Sequence, residues 1–92
     1  MTEYIFPTDT CFTPDDLHEL IAAKLPLPAC YGGNLDALYD VLTEPHPPWK
    51  LTFTGCKTAS AVIGARYMRA FRKCCEDAAQ ESEGLTVVFT ES

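Results

Sequence analysis

Asp36 and Asp40 are the residues in this 92-residue chain whose type and spacing most directly suggest chemistry. Two carboxylates four residues apart can share general acid–base work, ligate a cation, or present fixed negative charge to a basic partner. The first two uses need more than is here. No histidine, third carboxylate or nucleophile stands at a spacing that would complete a catalytic or metal site, and no CxxC or His spacing suggests zinc. As neighbours on one helix face, two aspartates repel by roughly 0.2–0.5 kcal/mol. Asp36, in a first turn, is offset by the positive end of the helix dipole, but Asp40 lies beyond its reach. Tyr39 and Thr43 fall on the same side. Either this is ordinary solvated surface, or it is a preformed anionic face with an aromatic in its middle.

The elements that must hold this face follow from the neighbouring residues. Gly32-Gly33 reads as a tight turn, Asn34 as the N-cap of a helix running to Thr43, and Leu35, Leu38, Val41 and Leu42 as its core stripe. Upstream, Glu3–Phe6 is a strand. Thr13 caps a helix with Pro14 at its first position and Asp15 and Asp16 at its positive end. Phe12 and Leu17 are placed for a hydrophobic staple across that cap. Leu17, Leu20, Ile21 and Leu25 face inward, His18 is expected on the solvated side, and Pro26 and Pro28 stop the helix. The Glu44–Pro48 segment is a stiff loop in which His46 is expected to be exposed.

Trp49–Thr54 alternates as a second strand. Lys57 to about Gln80 is helical, broken at Gly64, with Ala61, Val62, Tyr67, Ala70, Phe71, Cys74 and Ala78 as its apolar positions. Arg66, Arg69, Arg72 and Lys73 lie off that stripe. Gly84 stops the helix, and Leu85–Thr90 is a third strand. Strands separated by helical crossovers imply an α/β fold: a three-stranded parallel sheet with about four helices packed on it.

The totals bound the rest. Ninety-two residues make one domain, 1–92, and apolar and charged fractions of 47% and 22% are those of a folded globular chain. The apolar runs fall far short of the ~18 residues of a membrane span. The first residues lack a signal peptide's basic and apolar regions, so a cytoplasmic protein is expected. In such a compartment Cys11, Cys30, Cys56, Cys74 and Cys75 are expected to be small buried hydrophobes rather than disulfides. The net charge of −6 is unevenly spread, with −7 on residues 1–49, +6 on 50–75 and −5 on 76–92. An acidic total argues against direct nucleic-acid binding, and the Gly32-Gly33 turn lacks the residues of a phosphate loop.

The run Tyr31-Gly32-Gly33-Asn34-Leu35-Asp36-Ala37-Leu38-Tyr39-Asp40 resembles the barstar family of ribonuclease inhibitors, whose pattern is Tyr-Gly-x-Asn-Leu-Asp-Ala-Leu-aromatic-Asp. Length, helix order and Asp16-Leu17-His18 in the first helix agree. The resemblance implies a one-to-one inhibitor, without cofactor or catalysis of its own, of a small secreted guanyl-preferring ribonuclease. Its acidic helix and the glycine loop before it would plug the enzyme's basic active site. By position, Asp40 would take the phosphate site and Asp36 would meet basic groups at the mouth. Tyr31, Gly32, Asn34 and Leu35 would line the loop contact, Tyr39 would fill an interfacial aromatic position, and Thr43 would sit at the edge. A peripheral acid would come from Asp77 or Glu76. Cys30, Gly33 and Tyr39 depart from the family's type member, which has an aromatic, an acid and a tryptophan there. Two other readings stay open: a barstar-like interaction module with a different partner, and a carboxylate-based metal-binding enzyme.

Overall fold

The central strand carries the architecture. In the computed structural model, which describes residues Met1–Ser92, β1 (Thr2–Pro7), β2 (Trp49–Thr54) and β3 (Leu85–Phe89) form one parallel sheet in the order β1-β2-β3. β2 pairs Trp49 with Thr2 on one side and with Leu85 on the other. Its alternation predicts one inward face, and Trp49, Leu51 and Phe53 are all buried. Phe6, Phe53 and Phe89 stack in a row across the three strands, with ring centroids 4.9 and 5.1 Å apart. Phe71 meets Phe53 edge-on at 5.1 Å. The opposite face, with Ile5 exposed and a Glu3–Lys50 ion pair at 3.6 Å, is open to solvent.

Four helices complete the domain: α1 (Pro14–Lys24), α2 (Leu35–Thr43), α3 (Cys56–Val62) and α4 (Ala65–Glu81). A 3-10 turn, Thr8–Thr10, follows β1. The fold is the expected three-stranded parallel sheet with four helices, and Gly64 does separate α3 from α4. Between β2 and α3 the chain turns at Gly55 (φ +70°), where an added Cβ would lie 2.6 Å from the Asp9 side chain. Only glycine fits that corner.

Several expectations need correction. His18 is not solvated; it is 2% exposed and bonded on both ring nitrogens. Phe12 is 71% exposed and makes no staple. Its backbone N–H instead donates to the Asp16 carboxylate at 3.1 Å, while the Asp16 N–H donates to Thr13 Oγ1. Polar reciprocity across the first turn therefore replaces the apolar contact. On α3 and α4 the buried positions are Cys56, Ala59, Met68, Phe71, Cys75 and Ala78, whereas Ala61, Val62 and Ala70 face solvent. His46 is half-buried, stacked on Trp49 with centroids 4.0 Å apart, and its Nε2 pairs with the Leu42 carbonyl. Of the five cysteines, Cys11, Cys56 and Cys75 are buried, Cys74 is half-buried and Cys30 is exposed; all are free thiols.

Candidate functional site

α2 is fastened at its start, along its inner side and at its end. At the start, Asn34 Oδ1 accepts from the Ala37 N–H at 2.8 Å, the cap its sequence position calls for. Gly33 ahead of it takes φ +66°, a left-handed conformation that side chains other than glycine rarely adopt. Along the inner side, Leu38 and Leu42 are buried, with Leu35 packed against the core beside them. At the end, the Thr43 hydroxyl donates to the Tyr39 carbonyl at 2.8 Å and the Glu44 N–H donates to the Asp40 carbonyl at 3.1 Å.

This fastening leaves Asp36 and Asp40 exposed on the outer face. Neither has a basic partner within the chain. The three ion pairs are Lys50–Glu3, Arg72–Glu76 and Lys73–Asp77, all on other elements. The two carboxylates are therefore free to meet cations from outside, on a helix that needs no rearrangement to present them. Tyr39 is not simply part of this outer face. It is half-buried and packs against the core, so its ring sits at the margin between the acidic face and the apolar stripe.

α4 adds a flank to the site. The Cys74 thiol donates to the Leu35 carbonyl at 3.4 Å, stitching α4 to the first turn of α2. Burial pushes that thiol up first, and the carboxylates of Asp77 and Asp36 add to the effect. Asp77, three residues on from Cys74, falls on the same side of α4 as that thiol. Glu76, by contrast, pairs with Arg72, whose guanidinium lies 4.9 Å over the Phe89 ring on β3. Of the two candidate peripheral acids, Asp77 is thus the one on the Cys74 side of α4, with its carboxylate held by Lys73 at 2.8 Å.

On the other side of the glycine turn, Tyr31 is half-buried rather than displayed. Its N–H donates to the Pro28 carbonyl at 3.0 Å, and its hydroxyl reaches His18 Nδ1 at 2.6 Å. His18 Nε2 meets the Tyr67 hydroxyl, also at 2.6 Å. Sequence reasoning placed Tyr31 at the contact loop but found neither His18 nor Tyr67 behind it. No local spacing announces that triad, because its members come from α1, the loop and α4. Burial lowers His18 below the usual histidine range, against a smaller upward pull from Asp15, and burial raises both tyrosines.

The domain is thus a parallel three-stranded sheet that braces an unpaired acidic helix against α4. A family model described as Barstar (barnase inhibitor) matches residues 1–90. The chain belongs to the barstar family, whose function at family level is inhibition of a barnase-type ribonuclease. No curated protein matches it. No helix is long and apolar enough to cross a membrane.

Proposed function

We propose that this chain is a one-to-one, cytoplasmic inhibitor of a small secreted guanyl-preferring ribonuclease. It acts by occupying the active site, with no chemistry of its own. The observation that carries the reading is the exposed, unpaired Asp36/Asp40 pair on a helix capped by Asn34 and anchored by Leu38 and Leu42. An enzyme that cleaves RNA must gather cations around a phosphate, and a rigid carboxylate pair can stand in for that anion. Asp40 takes the phosphate position and Asp36 the basic groups beside it. Tyr31, Gly32, Asn34 and Leu35 supply the loop contact, with Tyr39, Thr43 and Asp77 around the rim. Long-range attraction to a basic cleft speeds encounter, and added salt slows it.

The test is RNA cleavage by a panel of barnase-like and other small microbial ribonucleases, with and without the protein. Stoichiometric inhibition of at least one of them, weakened by salt, is expected. No inhibition by micromolar protein across the panel would overturn the proposal.

A further inference from the structure

The turn that begins the proposed binding surface is made of two glycines, which have little conformational preference of their own. Its shape must be imposed from outside. Downstream, the Asn34 cap does this. Upstream, the His18 Cβ comes within 4.0 Å of where a Gly33 Cβ would lie, and the Tyr31 hydroxyl beside the turn is held by the His18 ring, which is itself held from the far side by Tyr67. A cleft of about 290 Å³ lies over this junction, lined by Asp15, Glu19, Ala22, Tyr31, Gly32 and Gly33 with His18 at its floor. The loop therefore has space beside it, and packing alone does not fix it.

We infer that His18 and Tyr67 are positioning residues of the binding surface: the Tyr67–His18–Tyr31 chain of hydrogen bonds holds the Gly32-Gly33 turn in the form that presents Asn34 and α2. This inference rests on the inhibitor reading for its functional consequence. It concerns residues that need not touch the partner.

The proton arrangement makes the anchor sensitive to charge. A neutral imidazole has one N–H donor and one bare nitrogen, so one phenol accepts from the ring and the other donates to it. Every buried polar side-chain atom is satisfied on these terms. An imidazolium donates from both nitrogens, and the phenol that was donating must turn its proton away. The groups around the ring are Asp15 and Glu19 from α1, Tyr31 from the loop, and Tyr67, with Cys74 and Cys75 beyond it, from α4. Only the two carboxylates favour the imidazolium, and both are exposed to solvent. Acid should therefore loosen Tyr31 before it dismantles the sheet.

Two variants separate the anchor from general packing. Tyr67→Phe keeps the ring and removes the hydroxyl. His18→Asn keeps a nitrogen where Nδ1 meets Tyr31 and cannot titrate. Dissociation from the inhibited ribonuclease is expected to be roughly tenfold faster in Tyr67→Phe, the loss of about one hydrogen bond. Wild-type binding is expected to weaken as the pH drops below the ordinary histidine range toward the lowered pKa of His18, while His18→Asn shows no such step. Amide hydrogen exchange at Gly32, Gly33 and Asn34 in the free protein gives a readout that needs no ribonuclease. Faster exchange there in Tyr67→Phe, with β2 amides unchanged, supports the anchor.

Wild-type exchange at those amides in both variants would overturn it. If a variant does not fold, the folded wild type still decides by NMR titration. Shifts at Gly32–Asn34 that follow the His18 ring support the anchor, and a His18 titration without them rejects it. A wild type that inhibits no ribonuclease removes the proposed function and leaves these free-protein measurements standing.

Discussion

α2 and α4 both carry charge on their outer sides, and they carry it in opposite ways. On α4, Arg72 faces Glu76 and Lys73 faces Asp77, each pair four residues apart and of opposite sign. On α2, Asp36 and Asp40 stand at the same spacing with the same sign and no partner. The first arrangement compensates charge within the helix itself. The second works against the helix by roughly 0.2–0.5 kcal/mol, and of the two acids only Asp36, in the first turn, is offset by the helix dipole. Charge that its own fold leaves uncompensated points to a partner that supplies the compensation. The difference between the two helices is thus the difference between charge compensated inside the fold and charge the fold leaves uncompensated.

The sharpest way to break this comparison is to remove Asp40. A charge desolvated against cations in an interface costs about 2–5 kcal/mol or more when truncated. Asp40→Ala should therefore weaken inhibition by at least about thirtyfold while leaving the thermal midpoint unchanged or slightly higher. Inhibition constants and melting curves measured on the same preparations check both halves. Asp36→Ala should lose less, on the order of tenfold, since the proposed role puts its carboxylate at the mouth of the cleft rather than at the phosphate site. Equal losses in the two variants would erase the division of labour between them.

A third prediction concerns stability against pH. His18 is depressed by burial in the fold, so below the ordinary histidine pKa of about 6.5 the unfolded chain takes up more protons than the folded one. Stability contributed by the neutral ring is complete above that value and is lost as the pH falls toward the folded pKa. Denaturant midpoints measured from pH 8 to pH 5 should decline, and the part of the decline due to this ring should vanish in His18→Asn. The smallest expected effect lies on α4. Arg72→Ala removes the Glu76 pair and the contact over Phe89, which together are worth about 1 kcal/mol at a half-exposed site. It should lower the melting point by a few degrees and leave inhibition untouched.

What was legible in the sequence was local. The Asn34 cap, the Thr13 cap, the break at Gly64 and the strand Trp49–Thr54 are each specified within a few residues of chain, and each stands where expected. The site's acids were legible for the same reason, since an i,i+4 spacing is a local fact. His18 was not, because the groups that satisfy it lie 13 and 49 residues away. A histidine among acids looks solvated until two phenols arrive from elsewhere. On α4 the apolar residues span more than one stripe, and the pattern fits two phases. Packing against the sheet and α2 selects Met68, Phe71, Cys75 and Ala78 and turns Ala70 outward. At Phe12 a polar cap stood in for an apolar one, and both are consistent with the same residues.

The register of the sheet has a consequence for the order in which the molecule can be assembled. β1 pairs with nothing nearer than Trp49, and the whole of α1 and α2 is contained in that crossover. Closing so long a segment before its contacts reward it is slow relative to helical bundles of the same size. A chain emerging from a ribosome can make α2 locally, but the frame that braces the helix requires β2 and then the Cys74–Leu35 contact from α4. The acidic helix is therefore expected to become a competent ligand only after β2 and α4 have both been made. Binding competence and closure of the sheet would then arrive together.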